Sequence, residues 1–388
     1  MRAVKSGLFL ILVAALALPA PSAAWSRKGH ILIIRSAVKL LVEDPTTPPA
    51  LRALLLEGLG DPAKMDTIEA FVLTEPYSKV DGALEPGLDL YSHRPDDLAS
   101  NSPVPVFDNT EDRMHYLNLE RFNRDPERRK YAPDGSNKPS LSDLPRDWKD
   151  ERYAVGGFVT FRVQQAYDTL VASLAKDLSN EQIFLWMGFL SHYASDAYQP
   201  YHASLNYAGL LCPANQRREK PDRYITHGEF EKTIFTDESP AVKPMITVFW
   251  NQYKETLAAG AATQVQRLDP YVSTQEALLS SYDLQSFLCR AQEDALKEKD
   301  FNRQAWFAHT EDFGGLRRST AQLQAERMAL ATLAVRTMIR QAWDDAVKIG
   351  NPPPVPPPPP PPPPPMAAPI PAQPEKPEKP PEKPPGLK

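Results

Sequence analysis

The chain is poor in cysteine, in excess basic charge and in long apolar runs. Its 388 residues include two cysteines, Cys212 and Cys289, and neither lies in a Cys-x-x-Cys pattern. These two could close one disulfide in an oxidising compartment or could both stay free. The net charge of −5 gives no basic field for duplex nucleic acid, so a partner would have to be held by local contacts.

One apolar run lies near the amino terminus, at Leu8–Leu18, after a basic start and before the small residues Ser22-Ala-Ala24. This pattern predicts a secretory signal peptide over residues 1–24 and export to the periplasm or the exterior. The run is too short to cross a bilayer, and no later stretch has spanning length and apolarity. Cleavage after Ala24 would make Trp25 the first residue.

The composition changes sharply at residue 351, where an unbroken proline run begins and is followed by Lys-Pro-Glu repeats. Such a segment has no core residues, so we predict a semi-rigid polyproline II spacer over residues 351–388; a ligand for a proline-binding module is the alternative. The remaining residues, 25–350, fit one large domain.

Apolar residues at helical spacing predict most of this domain to be helical. No strand-like alternation of useful length is present, so we expect an all-α multi-helix bundle with long loops. Residues 61–111 are rich in Pro, Asp and Gly and predict a long, partly irregular connection that wraps around the functional site. Residues 121–150 are charged and turn-rich and predict a segment on the surface. The expected helices are Ile31–Val42, Ala50–Leu59, Tyr153–Leu174, Glu181–Asp196, Ala241–Ala259, Thr274–Lys299 and Arg317–Lys348.

A metal-binding pattern lies at the end of the Glu181–Asp196 helix. His192 and Asp196 are four residues apart, so a helix places both side chains on one face. Gln199-Pro200 then ends the helix, because proline disfavours the helical conformation of the preceding residue and has no N–H to donate. His202 therefore leaves on a turned chain, free to bind a second ion.

Other histidines and carboxylates repeat this chemistry. His227 and Glu231 have the same spacing, His115 ends the long connection, and His30 follows the predicted amino terminus, so the pattern uses five of the seven histidines. Imidazole and carboxylate ligands without thiolate are what Zn²⁺ accepts when it keeps a position open for water.

These residues resemble the superfamily of bacterial zinc-dependent phospholipase C and the fungal and plant zinc-dependent single-strand nucleases. The resemblance spans Trp25 to about Glu231 and implies a helical bundle with three zinc ions at the bottom of a cleft. It rests on Trp25-x4-His30, His115, His192-x3-Asp196-x5-His202 with Gln199-Pro200, and His227-x3-Glu231.

The resemblance also implies how the ligands divide. One zinc would take His115, His192, Asp196 and an Asp from the preceding loop. Asp196 would bridge to a second zinc, which would also take His30 and the α-amino nitrogen and carbonyl oxygen of Trp25. The third would take His202, His227 and Glu231. Because an amine ligand needs a free lone pair, the signal peptide must first be removed.

The loop Asp is open among Asp66, Asp81, Asp89 and Asp96. We prefer Asp96, since a Pro-Asp step shortly before the histidine resembles the pattern of the superfamily. Asp96 would then orient the attacking water or act as a base.

The resemblance predicts a secreted zinc-dependent phosphodiester hydrolase acting on a phospholipid, a small phosphoester or single-stranded nucleic acid. Glu231 favours the phospholipase C branch, in which this ligand is Glu rather than Asp, whereas the short spacing from Trp25 to His30 favours the nuclease/3'-nucleotidase branch. A non-catalytic envelope protein stapled by zinc is the alternative from another class.

A few residues are assigned outside the ligand set. His93 and His309 are interpreted as surface or loop residues whose replacement by alanine leaves the metal content intact. Phe107 and Tyr193 are candidates to stack on a base or to line a lipid headgroup cleft, although core packing is the favoured role for each.

Overall fold

Helices form most of the chain that the computed structural model describes, which comprises residues 25–82, 87–101, 111–218, 225–262, 266–297 and 300–350. These residues belong to one compact unit, Met1–Val355; a second unit, Pro356–Lys388, lies outside them. The predicted signal peptide and proline-rich tail are therefore outside the described residues. In the described part of the chain, none of the helices has the length and apolarity to cross a membrane.

The amino-terminal third begins with a long helix that is buried on nearly every side over its first three turns. Short helices follow it, so the described part of residues 61–111, which the sequence predicted to be partly irregular, is helical apart from the turns between these helices. Helices of four to eight residues are too short to give a sustained period in the sequence. The elements are α1 Arg27–Glu43, α2 Pro49–Leu59, α3 Ala63–Asp66, α4 Ile68–Leu73, α5 Tyr77–Gly82, α6 Leu88–Tyr91 and α7 Arg94–Asn101.

The middle third begins with short 3₁₀ turns, which agree with the turn-rich surface segment predicted for residues 121–150. The helices that carry the site follow. The predicted helix from Tyr153 to Leu174 is in fact two helices that meet at Gly157. The elements are 3₁₀ turns at Glu111–Met114, Leu119–Phe122, Pro126–Arg128, Leu141–Asp143 and Pro200–Ala203, with α8 Glu151–Gly156, α9 Val159–Ala175, α10 Asn180–Asp196 and α11 Pro213–Gln216.

The break at Gly157 brings the His115 segment against the bundle. Gly157 has φ of +101°, and a Cβ there would lie 2.2 Å from the carbonyl oxygen of Tyr116. Only glycine accepts both the left-handed conformation and this close approach. The amide of Phe158 then donates to the carbonyl of Arg113, so the break holds both sides of His115.

The carboxyl-terminal third is helical apart from one short hairpin. The predicted helix Thr274–Lys299 is again two helices, separated at Asp283 and Leu284. The elements are α12 Ile225–Gly228, a π-turn at Glu229–Thr233, α13 Ile234–Thr236, α14 Lys243–Ala261, α15 Pro270–Tyr282, α16 Gln285–Ala295, α17 Arg303–Ala308, β1 Thr310–Phe313, β2 Leu316–Ser319 and α18 Thr320–Ile349.

The core lies where α1, α9 and α10 pack against α18. Helix α18 begins with a capping box in which Ser319 and Gln322 satisfy each other's backbone amides. The strands β1 and β2 form an antiparallel pair of four residues each, too short to give an alternation signal. Apart from this hairpin, the described chain is all-α, as predicted.

Cys212 and Cys289 form a disulfide, with 5.2 Å between their Cα atoms. The sequence left open whether these two residues pair. The bond joins the start of α11 to α16 and therefore anchors the segment between His202 and His227 to the carboxyl-terminal helices.

Candidate metal centre

Buried imidazoles and carboxylates form three groups, in each of which one ligand atom per residue lies within 4.8 Å of the others. The structure brings together eight of the nine predicted metal ligands in this way; the ninth, Trp25, would use backbone atoms. The first group is His30, Asp96 and His192; the second is His115, His192 and Asp196; the third is His202, His227 and Glu231.

Helix α10 carries His192, which belongs to two of the groups, and Asp196. His192 and Asp196 occupy its last turn and are fully buried. The helix ends at Asp196, and Gln199 adopts an extended conformation before Pro200, as the sequence predicted. His202 leaves in the following 3₁₀ turn and faces Glu231, with 3.7 Å between Nε2 and Oε1.

The two oxygens of Asp196 face different histidines. Oδ2 lies 3.1 Å from His115 Nδ1 and 3.3 Å from His192 Nε2, whereas Oδ1 lies 3.8 Å from His30 Nε2. A carboxylate in this position can bridge two ions, because each oxygen belongs to a different ligand set. The first and second groups are thus one continuous cluster.

Three of the imidazoles have their outer nitrogen fixed by an oxygen. His192 Nδ1 donates to the carbonyl of Ser92 at 2.9 Å, and His202 Nδ1 donates to the carbonyl of His115 at 2.7 Å. His30 Nδ1 lies 3.2 Å from Ser195 Oγ. A carbonyl can only accept, so the proton sits on Nδ1 and the lone pair of Nε2 points into the cluster, the arrangement that orients histidine ligands in metal sites.

Gly188 makes the contact between Ser92 and His192 possible. It lies one turn before His192, and a Cβ there would be 2.5 Å from two atoms of Tyr91 and 2.8 Å from the amide nitrogen of Ser92. The absence of a side chain lets the end of α6 touch α10. The sequence analysis did not single out this residue.

The third group depends on a π-turn. His227 lies at the end of α12, and Glu231 lies within Glu229–Thr233, where the side chains of His227 and Glu231 are in direct contact. A π-turn holds more residues than an α-turn, and such turns occur frequently at functional sites. Gln199 also donates to Glu231 Oε1 at 3.0 Å, so the end of the His192 helix supports this group too.

Trp25 lies close to the cluster. Its side chain is fully buried, and its indole N–H donates to the carbonyl of Ser195 at 2.9 Å. Ser195 precedes Asp196 and contacts His30, so residue 25 is anchored between two candidate ligands. Ligation by its α-amino group stays a prediction.

Asp96, which was predicted to lie in a loop, lies in helix α7 and contacts histidines of the first two groups. Its oxygens lie 3.5 Å from His192 Nε2 and 3.7 Å from both His30 Nε2 and His115 Nδ1. Asp89 is instead buried in an ion pair with Arg35.

The two remaining candidates for the loop ligand do not compete with Asp96. The side chain of Asp66 is 82% exposed. The side chain of Asp81 lies outside the described residues. Asp96 is therefore the preferred carboxylate on position as well as on sequence.

Tyr193 supports the cluster from behind. Its ring packs 5.3 Å from His115 and 5.1 Å from His192, centroid to centroid, and its hydroxyl donates to Glu111, which Arg162 also contacts at 3.1 Å. Tyr193 is fully buried, so its role is core packing, the role that the sequence analysis favoured over stacking on a substrate. Phe107 lies outside the described residues.

His93 and His309 both lie in loops, which agrees with their interpretation as surface or loop residues, but neither side chain is exposed. The His93 side chain is 12% exposed and lies 3.1 Å from Asp96, at the edge of the first group. The His309 side chain is 9% exposed and contacts Asp294 and Glu311, apart from all three groups. Single histidines carry no sequence signal for burial, which depends on the tertiary fold.

Burial controls the protonation of the imidazoles. It lowers the pKa of His30 and of His227 to about 3 and that of His115 to about 4, because an imidazolium is costly away from water. These histidines are therefore neutral at pH 7, the state in which imidazole can ligate a metal.

The carboxylates are held in different states. Burial and then the charge of Asp96 raise the pKa of Asp196 well above its usual range. Burial raises the pKa of Asp96 as well, but the imidazoles of His192 and His93 outweigh this effect and hold it low. Burial also raises the pKa of Glu231 to about 8. Bound cations would reverse the penalty on ionising Asp196 and Glu231.

The donor set fits metal ions. His30 Nε2, His202 Nε2 and Asp196 Oδ1 are buried and make no hydrogen bond, which costs roughly 1–3 kcal/mol for each unsatisfied group. All three atoms point into the groups described above. Cations would satisfy them together, and a nitrogen-oxygen donor set suits zinc among the common metals.

Comparison of the chain with known protein families, with curated proteins and with solved structures finds no match.

Proposed function

We propose that this protein is a secreted zinc-dependent phosphodiester hydrolase of the phospholipase C type, with three zinc ions in the groups described above. The observation that carries the proposal is Asp196, whose two oxygens face separate imidazole sets. A structural zinc site is normally a single closed set of four ligands, whereas paired ions bridged by a carboxylate are typical of phosphoester hydrolysis.

Zinc, when bound, would supply the Lewis acidity that polarises a phosphoryl oxygen and makes water nucleophilic near neutral pH. The chain would contribute neutral imidazoles with fixed tautomers and a buried carboxylate between them. Asp96, which reaches three histidines, is placed to orient water or to accept its proton. No nucleophilic side chain is needed.

Two features of the ligand set bear on whether the substrate is a phospholipid or a nucleic acid. Glu231 supports the phospholipase type, and the short spacing between Trp25 and His30 supports a single-strand-specific nuclease or 3'-nucleotidase as the second candidate. Assays of the same preparation on phosphatidylcholine vesicles and on single-stranded DNA separate the two. Preferential DNA cleavage would favour the nuclease.

The test of the metal assignment uses protein that begins at Trp25 and measures zinc per chain together with hydrolysis of a chromogenic phosphodiester. His192 belongs to two groups and His202 to one. His192→Ala should therefore lose more zinc than His202→Ala, and Asp196→Asn should lose zinc from the shared cluster. All three should lose most activity, whereas His309→Ala, remote from the groups, should retain both.

Full metal content in all three variants would refute the assignment. Stoichiometric zinc without turnover of any phosphodiester would instead favour the non-catalytic, zinc-stapled protein, since a scaffold binds metal without hydrolysis.

A further inference from the structure

His93 lies between two carboxylates next to the first group. Its Nδ1 is 3.1 Å from Asp96 Oδ2, and its Nε2 is 3.7 Å from Asp97 Oδ1. Asp97 in turn lies 3.5 Å from Arg27 Nη2 on α1, the helix that carries His30. A chain of polar contacts thus runs from α1 through Asp97 and His93 to Asp96.

The backbone strengthens this connection. His93 lies between α6 and α7, and its carbonyl accepts the amide of Asp96 at 3.1 Å. The preceding residue, Ser92, supplies the carbonyl that fixes His192. Two neighbouring residues therefore support the site: the backbone carbonyl of Ser92 orients His192, and the side chain of His93 approaches Asp96.

The position of Asp96 needs such support. Asp96 belongs to an eight-residue helix, α7, rather than to one of the long helices of the bundle. Its side chain must nevertheless remain within 3.7 Å of three imidazoles from three different elements. The His93 ring lies 6.1 Å from the His30 ring, centroid to centroid, and both imidazoles approach the same oxygen of Asp96, Oδ2.

We propose that His93 is a positioning residue that holds the Asp96 carboxylate toward the shared metal groups. The inference rests on the proposed function, because it assumes that Asp96 serves the metal centre. His93 is not itself a ligand in this proposal; it acts through Asp96, as outer-shell partners of metal ligands do.

The chain offers a matched control. His309 is similarly buried and also lies between two carboxylates, with 2.5 Å from Nδ1 to Asp294 and 3.5 Å from Nε2 to Glu311. Removing either imidazole therefore deletes the same kind of contact. Only His93 contacts a residue of the three groups, Asp96.

The experiment compares His93→Ala, His93→Asn and His309→Ala with the parent protein beginning at Trp25. Zinc affinity is measured by competition with a chelator, and kcat and KM are measured with a chromogenic phosphodiester. We expect His93→Ala to weaken the most loosely held zinc by about 10- to 100-fold, the range for loss of an outer-shell partner, and to lower kcat more than it raises KM. His93→Asn, whose amide can still donate to Asp96, should recover most of both, and His309→Ala should match the parent.

Equal zinc affinities in His93→Ala and His309→Ala would overturn the inference, as would failure of His93→Asn to differ from His93→Ala. A parent protein that binds zinc without turnover would overturn the proposed activity while the affinity comparison still tests His93. A parent protein that binds no zinc would overturn both.

Discussion

Replacing Gly188 by alanine should damage the metal centre more than the fold. The new methyl group would lie 2.5 Å from the Tyr91 carbonyl carbon and 2.8 Å from the Ser92 nitrogen. Carbon atoms pack best at 3.5–4.0 Å, so the end of α6 would have to retreat by roughly 1 Å. The obstacle is backbone, which cannot rotate away as a side chain can. The carbonyl of Ser92 would therefore move away from His192 Nδ1.

The two effects differ in size. Overpacking costs about 1–3 kcal/mol, and the higher helix propensity of alanine returns up to about 1 kcal/mol. The net loss of stability is thus about 0–3 kcal/mol. At the site, losing the hydrogen bond that fixes His192 should weaken zinc binding by about 10- to 100-fold. His192 is shared by two groups, so more than one ion should be affected.

The measurement is zinc affinity by chelator competition together with the free energy of unfolding in urea. The control is Gly260→Ala on α14, where the methyl would meet the Leu333 side chain at 2.1 Å in a helix that carries none of the candidate ligands. Because the Leu333 side chain can rotate away, this variant should keep most of its stability and all of its zinc affinity. An unchanged zinc affinity in Gly188→Ala would show that the Ser92 carbonyl does not orient His192.

Three further predictions test other parts of the molecule. A protein with one extra residue before Trp25 should lose zinc from the His30 group, as native mass spectrometry would show; an unchanged zinc count would contradict ligation by the α-amine. Cys212→Ser with Cys289→Ser opens a link between residues 77 apart and should cost about 4 kcal/mol in urea denaturation; a loss below about 1 kcal/mol would contradict this. A hydrogen bond from Arg267 lowers the pKa of Asp345 to about 2. The ionised Asp345 should therefore stabilise the zinc-free protein above pH 4. Since Arg267 is exposed to solvent, we expect a contribution of about 1–2 kcal/mol to the free energy of unfolding. Because the folded-state pKa is depressed, the difference between the parent and Asp345→Asn should vanish as the pH falls from about 4 to about 2; a difference that persists at pH 2 would refute the ion pair.

The helical positions of the site could be predicted from the sequence. The four-residue spacing of His192 and Asp196 and the stop at Gln199-Pro200 are local features, and the structure confirms both. The spacing of His227 and Glu231 also brings their side chains together, although through a π-turn rather than an α-turn. Local spacing is informative here because the helix fixes which side chains share a face.

The remaining features depend on contacts between distant segments. Asp89 is engaged by Arg35 on α1 and by Lys64 on α3, whereas Asp96 faces the imidazoles, and no sequence pattern predicts these pairings. The break between α15 and α16 has no glycine or proline. Side chains at its two sides instead bind the turn after α10: Ser281 donates to the carbonyl of Ala197, and Gln285 donates to that of Pro200. Tertiary contacts with the site therefore account for this division of the predicted helix.

The placement of Asp196 argues for a bound cation independently of any resemblance. It is the last residue of α10 and is fully buried, next to the end of the helix where the dipole is negative. A carboxylate there meets an unfavourable dipole, loses its hydration and lies near the charge of Asp96, and each of these effects opposes ionisation. A fold selected only for stability would gain by placing an uncharged residue at this position. A residue that breaks a local rule in the middle of neutral imidazoles is expected where function compensates for the cost. A cation held by His115, His192 and Asp196 would provide that compensation.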